Sequence, residues 1–273
     1  MKPRKHIVDT TLRDGEQSPD YCFSRKQKLM LASLLDGAGV SQIEAGIPAM
    51  DPYEKDTLGM IIERKRSAKI SLWSRLGESD IRHCMDLKPD IIHISIPVSY
   101  VHIYSKLRKN KSWVLGQVDA CLALANRSGS EISVGFEDAF RSDISFLITM
   151  SRTVMERGVF RIRLADTVGN ATPQLCRELF SELGQHLDQR VAFGFHAHND
   201  LGMAVATTIE ALKSRCQYVD TTIMGIGERA GNCDFAALVK AAGSVFDFGI
   251  TSQAANAAQE EFLRIWEDKS EDK

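Results

Sequence analysis

The chain has 273 residues, 44% of them hydrophobic, and a formal net charge of -2. That length buries one large core, and the even charge balance gives no grip on nucleic acid or an anionic membrane surface. No apolar run approaches the roughly 20 residues of a membrane span.

The basic start, Met1-Lys2-Pro3-Arg4-Lys5, leads into a strand-like run without a signal-peptide core, so a cytoplasmic chain is expected. Six scattered cysteines without a CxxC pair read as free thiols. The first strand is expected at His6–Thr11, before a loop and an amphipathic helix over Arg25–Gly37 that stops at Gly37 and Gly39. A second strand, Gln42–Ile47, precedes a helix from Asp51 to Lys65, and a third, Lys69–Ser74, precedes Glu78–Met85. The fourth, Asp90–Ile96, ends at Pro97, whose missing N–H cannot continue a ladder. A long helix over Ser112–Arg127 follows. Glu131–Phe136 and Phe160–Ala165 read as strands five and six. The seventh starts at Val191–Phe195 and carries His196 and His198. The eighth, Tyr218–Met224, ends in Gly225-Ile226-Gly227, before a helix over Cys233–Phe246.

Eight strands alternating with helices predict an α/β fold, a (β/α)8 TIM barrel in a single domain over 1–249. A short helical tail over 250–273 follows, apolar at Phe262, Leu263, Ile265 and Trp266 and charged from Glu267 to Lys273. A doubly wound open sheet is the competing arrangement. The barrel is favoured because residues of catalytic type follow strands one, two, five, six, seven and eight. An open sheet would gather them at one switch point, whereas a barrel brings every C-terminal strand end to one mouth.

On a strand, residues i and i+2 face the same side, so His196 and His198 converge as two ligands of one metal would. Two ordinary histidines at a strand end are the plain alternative. Asp14, in Thr11-Leu12-Arg13-Asp14-Gly15-Glu16-Gln17, supplies a third ligand, and Arg13 a cation for an anionic substrate. Three protein ligands leave positions open for substrate and water, as a catalytic divalent metal requires. The turn at Gly15 is expected to re-aim one of the neighbouring Arg13 and Asp14. Glu44 sits in an apolar strand and needs a partner such as Arg13. Arg75 is a second cation for a dicarboxylate, or a surface residue. Thr167 is placed to donate a hydroxyl hydrogen bond into the mouth. The glycine-rich loop at 225–231 either offers backbone N–H groups to an anion or is an ordinary turn.

DTTLRDGEQ, EAGIPAM, FEDAFR, ADTVG, HAHNDLG and GIGERAGN together resemble the DRE-TIM metallolyase superfamily in its Claisen-condensing branch. AGIPAM, SIPVS and the Ser112–Leu115 stretch look most like the nitrogenase-associated homocitrate synthases. The resemblance implies that Asp14, His196 and His198 bind a divalent metal (magnesium, manganese or zinc) with Asn232 close by. It implies that Arg13 and Glu137 are catalytic and that Thr167 contacts the keto acid, with Gln17, Glu44 and Arg75 further substrate-binding positions. The implied reaction condenses acetyl-CoA with an α-keto acid, best 2-oxoglutarate, and then hydrolyses the thioester. Isopropylmalate or citramalate synthesis is the near alternative.

Two departures from the family stand out. Ser133 and Arg75 occupy positions where lysine-pathway homocitrate synthases carry an arginine and a histidine. The family's C-terminal region, with its histidine-bearing segment over the mouth, has no counterpart at 250–273. The chain is therefore expected to act as a homodimer or as part of a hetero-oligomer, with a second chain supplying that region and docking on the apolar tail patch. No side chain of the barrel stands out as the general base. A metal-dependent aldolase or acyl-CoA lyase and a non-catalytic subunit are the competing functions. Glu228-Arg229-Ala230-Gly231-Asn232 favours the synthase, since lyases of the superfamily carry a glycine-cysteine-proline pattern there.

Overall fold

The strands alternate between two kinds of side chain, and that alternation positions the site. In β3 (Lys69–Arg75), Ile70 and Leu72 join the apolar core while Ser71 and Trp73 take the other side. In β4 (Ile91–Pro97) the apolar set is Ile92, Ile94 and Ile96, and the polar set is His93 and Ser95. β6 (Arg161–Ala165) sets Ile162 and Leu164 against Arg161 and Arg163. Apart from the half-buried Trp73, both sets are buried, so the strands are covered on both faces, as parallel sheets are.

In this computed structural model, which describes residues 1–188 and 190–268, eight parallel strands close in sequence order into a (β/α)8 barrel. β1 (His6–Asp9) pairs with both β2 (Gln42–Gly46) and β8 (Cys216–Thr221), which closes the ring. β5 (Glu131–Glu137) and β7 (Ala192–His196) complete it. Helices α1 (Arg25–Ala38), α2 (Pro52–Arg64), α3 (Glu78–Leu87) and α4 (Lys111–Ala125) follow the first four strands. α5 (Ile144–Glu156), α6 (Pro173–His186), α7 (Ala204–Lys213) and α8 (Phe235–Ala242) follow the others, and α9 (Ser252–Glu267) closes the described chain. Local chemistry sets their ends. Ser24 and Gln27 form a capping box before α1, which stops at Gly39 with φ 89°. Asp51 and Thr172 accept N-terminal amides ahead of Pro52 and Pro173.

The outer faces of the strands meet the helices in the apolar core, and the inner faces meet each other as a polar one. Arg163 on β6 bonds Glu44 on β2 at 2.8 Å, and Arg161 bonds Gln42 at 2.8 Å. β2 and β6 stand four strands apart around the ring, so these bonds cross the barrel interior.

Several expected boundaries move. Strand one ends at Asp9 rather than Thr11, because the Thr10 carbonyl accepts from the amides of Arg13, Asp14 and Gly15 and turns the chain. Strand eight ends at Thr221, and residues 223–225 form a 3-10 turn instead. The last barrel helix is shorter than Cys233–Phe246, starting after the capping Asp234. The tail helix begins at the cap Thr251. The expected apolar docking patch is largely used within the chain. Phe262 and Ile265 are buried, Trp266 and Phe262 pack with Tyr21 and Phe23, and Gln27 donates to the Ile265 carbonyl at 3.1 Å. The charged run at 269–273 lies outside the described residues. No helix among those described is long and apolar enough to cross a membrane. All six cysteines are free, five of them buried, and burial pushes the Cys84 and Cys233 thiols up to about 12.

Candidate metal centre

Arg13 and Asp14 reach the barrel mouth on the turn that follows β1, not on a strand. Gly15 keeps a negative φ, and its role is space: a Cβ there would meet the Ile226 side chain at 3.0 Å. Both side chains are buried, and the Arg13 guanidinium bonds the Asp14 carboxylate directly. His196 is the last residue of β7. His198 lies beyond the strand, where its backbone forms a bridge with Asn232. Although His198 has left the ladder, the side chains converge: ligand atoms of Asp14, His196 and His198 lie within 4.8 Å of one another.

The electrostatics of this cluster favour a cation. Burial pushes the Asp14 carboxyl up, but Arg13 and His196 more than reverse that and hold it well below the usual carboxylate range. Burial opposes charge on His196, yet Asp14 and Asp220 carry its pKa to about 9. His198 is pressed down to about 4 by burial and by its charged neighbour. Asp14 Oδ2, His198 Nδ1 and Asn232 Oδ1 are buried without a hydrogen-bond partner. Buried polar atoms are nearly always satisfied, so orphaned ligand-type atoms on Asp14 and His198, within a group that converges with His196, fit a divalent ion.

The glycines at 225–231 make room for this arrangement. A Cβ on Gly227 would lie 2.1 Å from Asn232 Nδ2, and one on Gly231 would lie 2.1 Å from the Gly225 carbonyl. The amides of Gly225, Ile226, Gly231 and Asn232 are all bonded within the loop. Asn232 Nδ2 donates to the Ile226 carbonyl at 2.9 Å, which fixes the amide and leaves Oδ1 free.

Beneath the cluster lies a buried charge network, in which Glu44 finds in Arg13 the partner its burial requires. Glu44 accepts from Arg13 Nε at 2.7 Å and from Arg163 at 2.8 Å. Arg163 also reaches Asp220 at 2.6 Å, and Asp220 faces His196 Nδ1 at 3.0 Å. Burial pushes Glu44 up, but Arg163 and Arg13 hold it below the usual range. Asp220 on β8 thus orients His196, as carboxylates behind metal-ligating histidines do. Its signal was available: like Glu44, it is an acid inside an apolar strand.

The other predicted residues fall into two groups. Glu137, at the end of β5, accepts from Ser95 Oγ at 2.5 Å and faces His102 Nδ1 at 3.4 Å. Thr167 Oγ1 accepts from the Asp138 amide at 2.8 Å, which leaves its own hydrogen available to donate. Gln17 is exposed and lines a cavity of about 430 Å³ with Leu12, Arg13, Cys22, Met50 and Tyr53. Arg75 does not join the cluster. It lies on the surface, 66% exposed, with its guanidinium on Asp80 at 2.5 Å, which caps its charge on the rim.

A closed barrel whose mouth gathers two histidines and an arginine-bonded aspartate defines a TIM-barrel protein with a candidate metal site. The chain belongs to the HMGL-like family, whose model matches residues 4–255. Among its relatives is the homocitrate synthase subunit alpha of Clostridium pasteurianum, 41% identical over 236 residues, covering 86% of this chain and 87% of that one. The 2-isopropylmalate synthase 2 of Caldanaerobacter subterraneus subsp. tengcongensis is 37% identical over 247 residues, 90% of this chain. The present chain spans 64% of that relative's length. The HMG-CoA lyase of Bacillus subtilis superposes with a TM-score of 0.84 over 96% of this chain and 94% of that chain, at 18% identity. That likeness speaks for the fold alone.

Proposed function

We propose that this chain is an acyltransferase subunit that condenses acetyl-CoA with an α-keto acid, with 2-oxoglutarate the favoured acceptor and homocitrate the product. The observation that carries the reading is the convergence of Asp14, His196 and His198 beside the Arg13 guanidinium. The identity shared with a homocitrate synthase subunit points the same way. Isopropylmalate-type chemistry is the near alternative.

Asp14, His196 and His198 would hold a divalent ion, with Asn232 Oδ1 beside them. When bound, such an ion polarises a carbonyl oxygen and offsets the negative charge that grows on it. The residues of the chain do the rest. Arg13, held by Glu44, cannot swing away, and its guanidinium faces the same developing charge from a site shielded from water. Asp220 keeps His196 in the tautomer that leaves Nε2 toward Asp14. Thr167 fixes the backbone at Asp138 and hence the approach of Glu137.

A second polypeptide belongs to this reading. The C. pasteurianum relative is named as an alpha subunit. Apolar side chains stand exposed on the loops around the mouth, among them Met50, Tyr100, Tyr104, Leu201 and Met203. A partner seated on them would exclude water from the reacting groups. The test is thiol release from acetyl-CoA with a panel of α-keto acids, measured with and without the co-purifying partner. Turnover with 2-oxoglutarate above all others is expected. No thiol release with any keto acid in either form sinks the proposal.

A further inference from the structure

The two histidines of the cluster are not held alike. His196 ends β7 within the ladder, and Asp220 faces its Nδ1 at 3.0 Å. His198 has left the ladder, and among the described residues neither of its ring nitrogens makes a hydrogen bond. Glu228 Oε1 stands 3.8 Å from its Nε2, beyond hydrogen-bond reach. Ligating histidines ordinarily lean on such a partner. The aim of His198 therefore comes from its backbone, which is tied to the loop after β8 on both sides of the bridge with Asn232. The Asn199 amide donates to the Gly231 carbonyl at 2.8 Å. Arg229 donates from Nε to Asp200 Oδ1 at 2.8 Å and from Nη2 to Asp200 Oδ2 at 3.1 Å. Nη2 also reaches the Thr167 carbonyl at 3.1 Å, and Nη1 reaches Glu228 Oε1 at 2.7 Å. One guanidinium thus joins the loops after β6, β7 and β8, which carry Thr167, His198 and Asn232. The backbone bends to admit it. Arg229 holds φ 55°, in the left-handed region, and a non-glycine residue stays there only where its contacts over-determine it. Gly169 takes φ 68°, and a Cβ there would collide with the Asp200 carboxylate.

From this geometry we infer that Arg229 is a positioning residue of the metal centre: through Asp200 it fixes the backbone that aims His198. The inference rests on the metal reading of the cluster and holds whichever keto acid is condensed. Asp220 and Arg229 divide the task, His196 being oriented through its ring and His198 through its main chain. The planar fork of Arg229 meets the Asp200 carboxylate two donors to two acceptors, which the point charge of a lysine cannot do. The pair is partly exposed at the rim, so it adds little to the stability of the fold. What it supplies is ligand geometry, to which a metal site is far more sensitive.

The test uses the intact protein, freed of metal and titrated with manganese(II), the free ion being followed by electron paramagnetic resonance. Arg229→Gln should weaken manganese binding about 10- to 100-fold, while Tm of the metal-free protein stays within about a degree or two of the parent. Asp200→Asn should show a loss of the same size. The double variant should lose no more than either alone, since both changes break one tie. Arg229→Lys keeps the charge without the fork and should recover only part of the affinity. Parental manganese affinity in Arg229→Gln overturns the inference, and so do losses that multiply in the double variant. If Arg229→Gln does not fold, Asp200→Asn decides alone, and parental affinity in that variant overturns the inference equally. A parent protein that binds neither manganese(II) nor zinc(II) overturns the metal reading itself, which is a separate result.

Discussion

At the scale of single residues, metal ligands and the groups behind them predict different defects. His198→Ala removes a ligand, so metal content by elemental analysis and any turnover should fall together. Asp220→Asn leaves all three ligands but loosens His196, and metal affinity should drop about 10- to 100-fold with the ligand set intact. Equal metal content in parent and His198→Ala would remove the assignment. Arg163 makes a third case. Replacing it with leucine leaves Glu44 and Asp220 buried with one cation fewer, and such breaks cost roughly 3–5 kcal/mol. Denaturant unfolding should show that loss, whereas a surface ion pair such as Arg75–Asp80 should show little. The same contrast explains what could be read from the chain. His196, His198 and Asp14 were legible because ligand types recur at strand ends. The partners of Arg163 and Asp220 were not, because a charge within a strand pattern does not reveal which residue across the barrel it meets. Arg75 stands at a strand end as read, on the surface side of its two readings, with Asp80 five residues on holding its guanidinium.

At the scale of elements, helix caps and apolar alternation made all eight strands legible to within a few residues. The ends of strands one and eight were overrun because β-branched residues continue past the point where the Thr10 and Thr222 regions turn. One contact between elements carries a pH signature. Asp36, near the end of α1, accepts from the amides of Arg66, Ser67 and Ala68 and from the Ser67 hydroxyl, at 2.6, 3.0, 3.0 and 2.7 Å. Burial pushes its carboxyl up, yet these four donors bring it down to about 2 from 3.8. A carboxyl depressed on folding adds stability that is full above its unfolded value, on the order of 2 kcal/mol here. That part is lost as pH falls from about 4 through 2. Asp36→Ala should lower stability at neutral pH by a similar amount and flatten the acid limb. An unchanged acid limb in the variant would mean that other carboxylates carry it.

At the scale of the whole molecule, α9 decides whether the barrel and its tail are one folding unit. The sequence suggested a tail with an apolar patch facing outward, since an amphipathic helix does not show what covers its apolar face. The structure turns that face inward: Phe262 is fully buried, at 6.1 Å from the Phe23 ring and 5.7 Å from Tyr21, with Trp266 beside them. Tyr21 and Phe23 belong to the loop between β1 and α1, the loop that also carries Arg13, Asp14 and Glu16. In that loop Glu16 is tied to Lys28 at 2.6 Å and to the Phe23 amide at 3.1 Å. α9 therefore buttresses the loop that shapes the metal centre. Phe262→Ala removes a large buried ring, and such truncations cost about 3–5 kcal/mol. For a chain of this size that corresponds to a fall in Tm of roughly 6–20 °C, at about 2–4 °C per kcal/mol. The fall should appear as one transition shared by far-UV circular dichroism and tryptophan fluorescence, because the helix and barrel unfold together. Leu263→Ala, on the half-exposed side of the same helix, should leave Tm within a degree or two. If Phe262→Ala instead leaves Tm unchanged while Leu263→Ala alters it, the helix is not docked as described, and its apolar side is free for another chain.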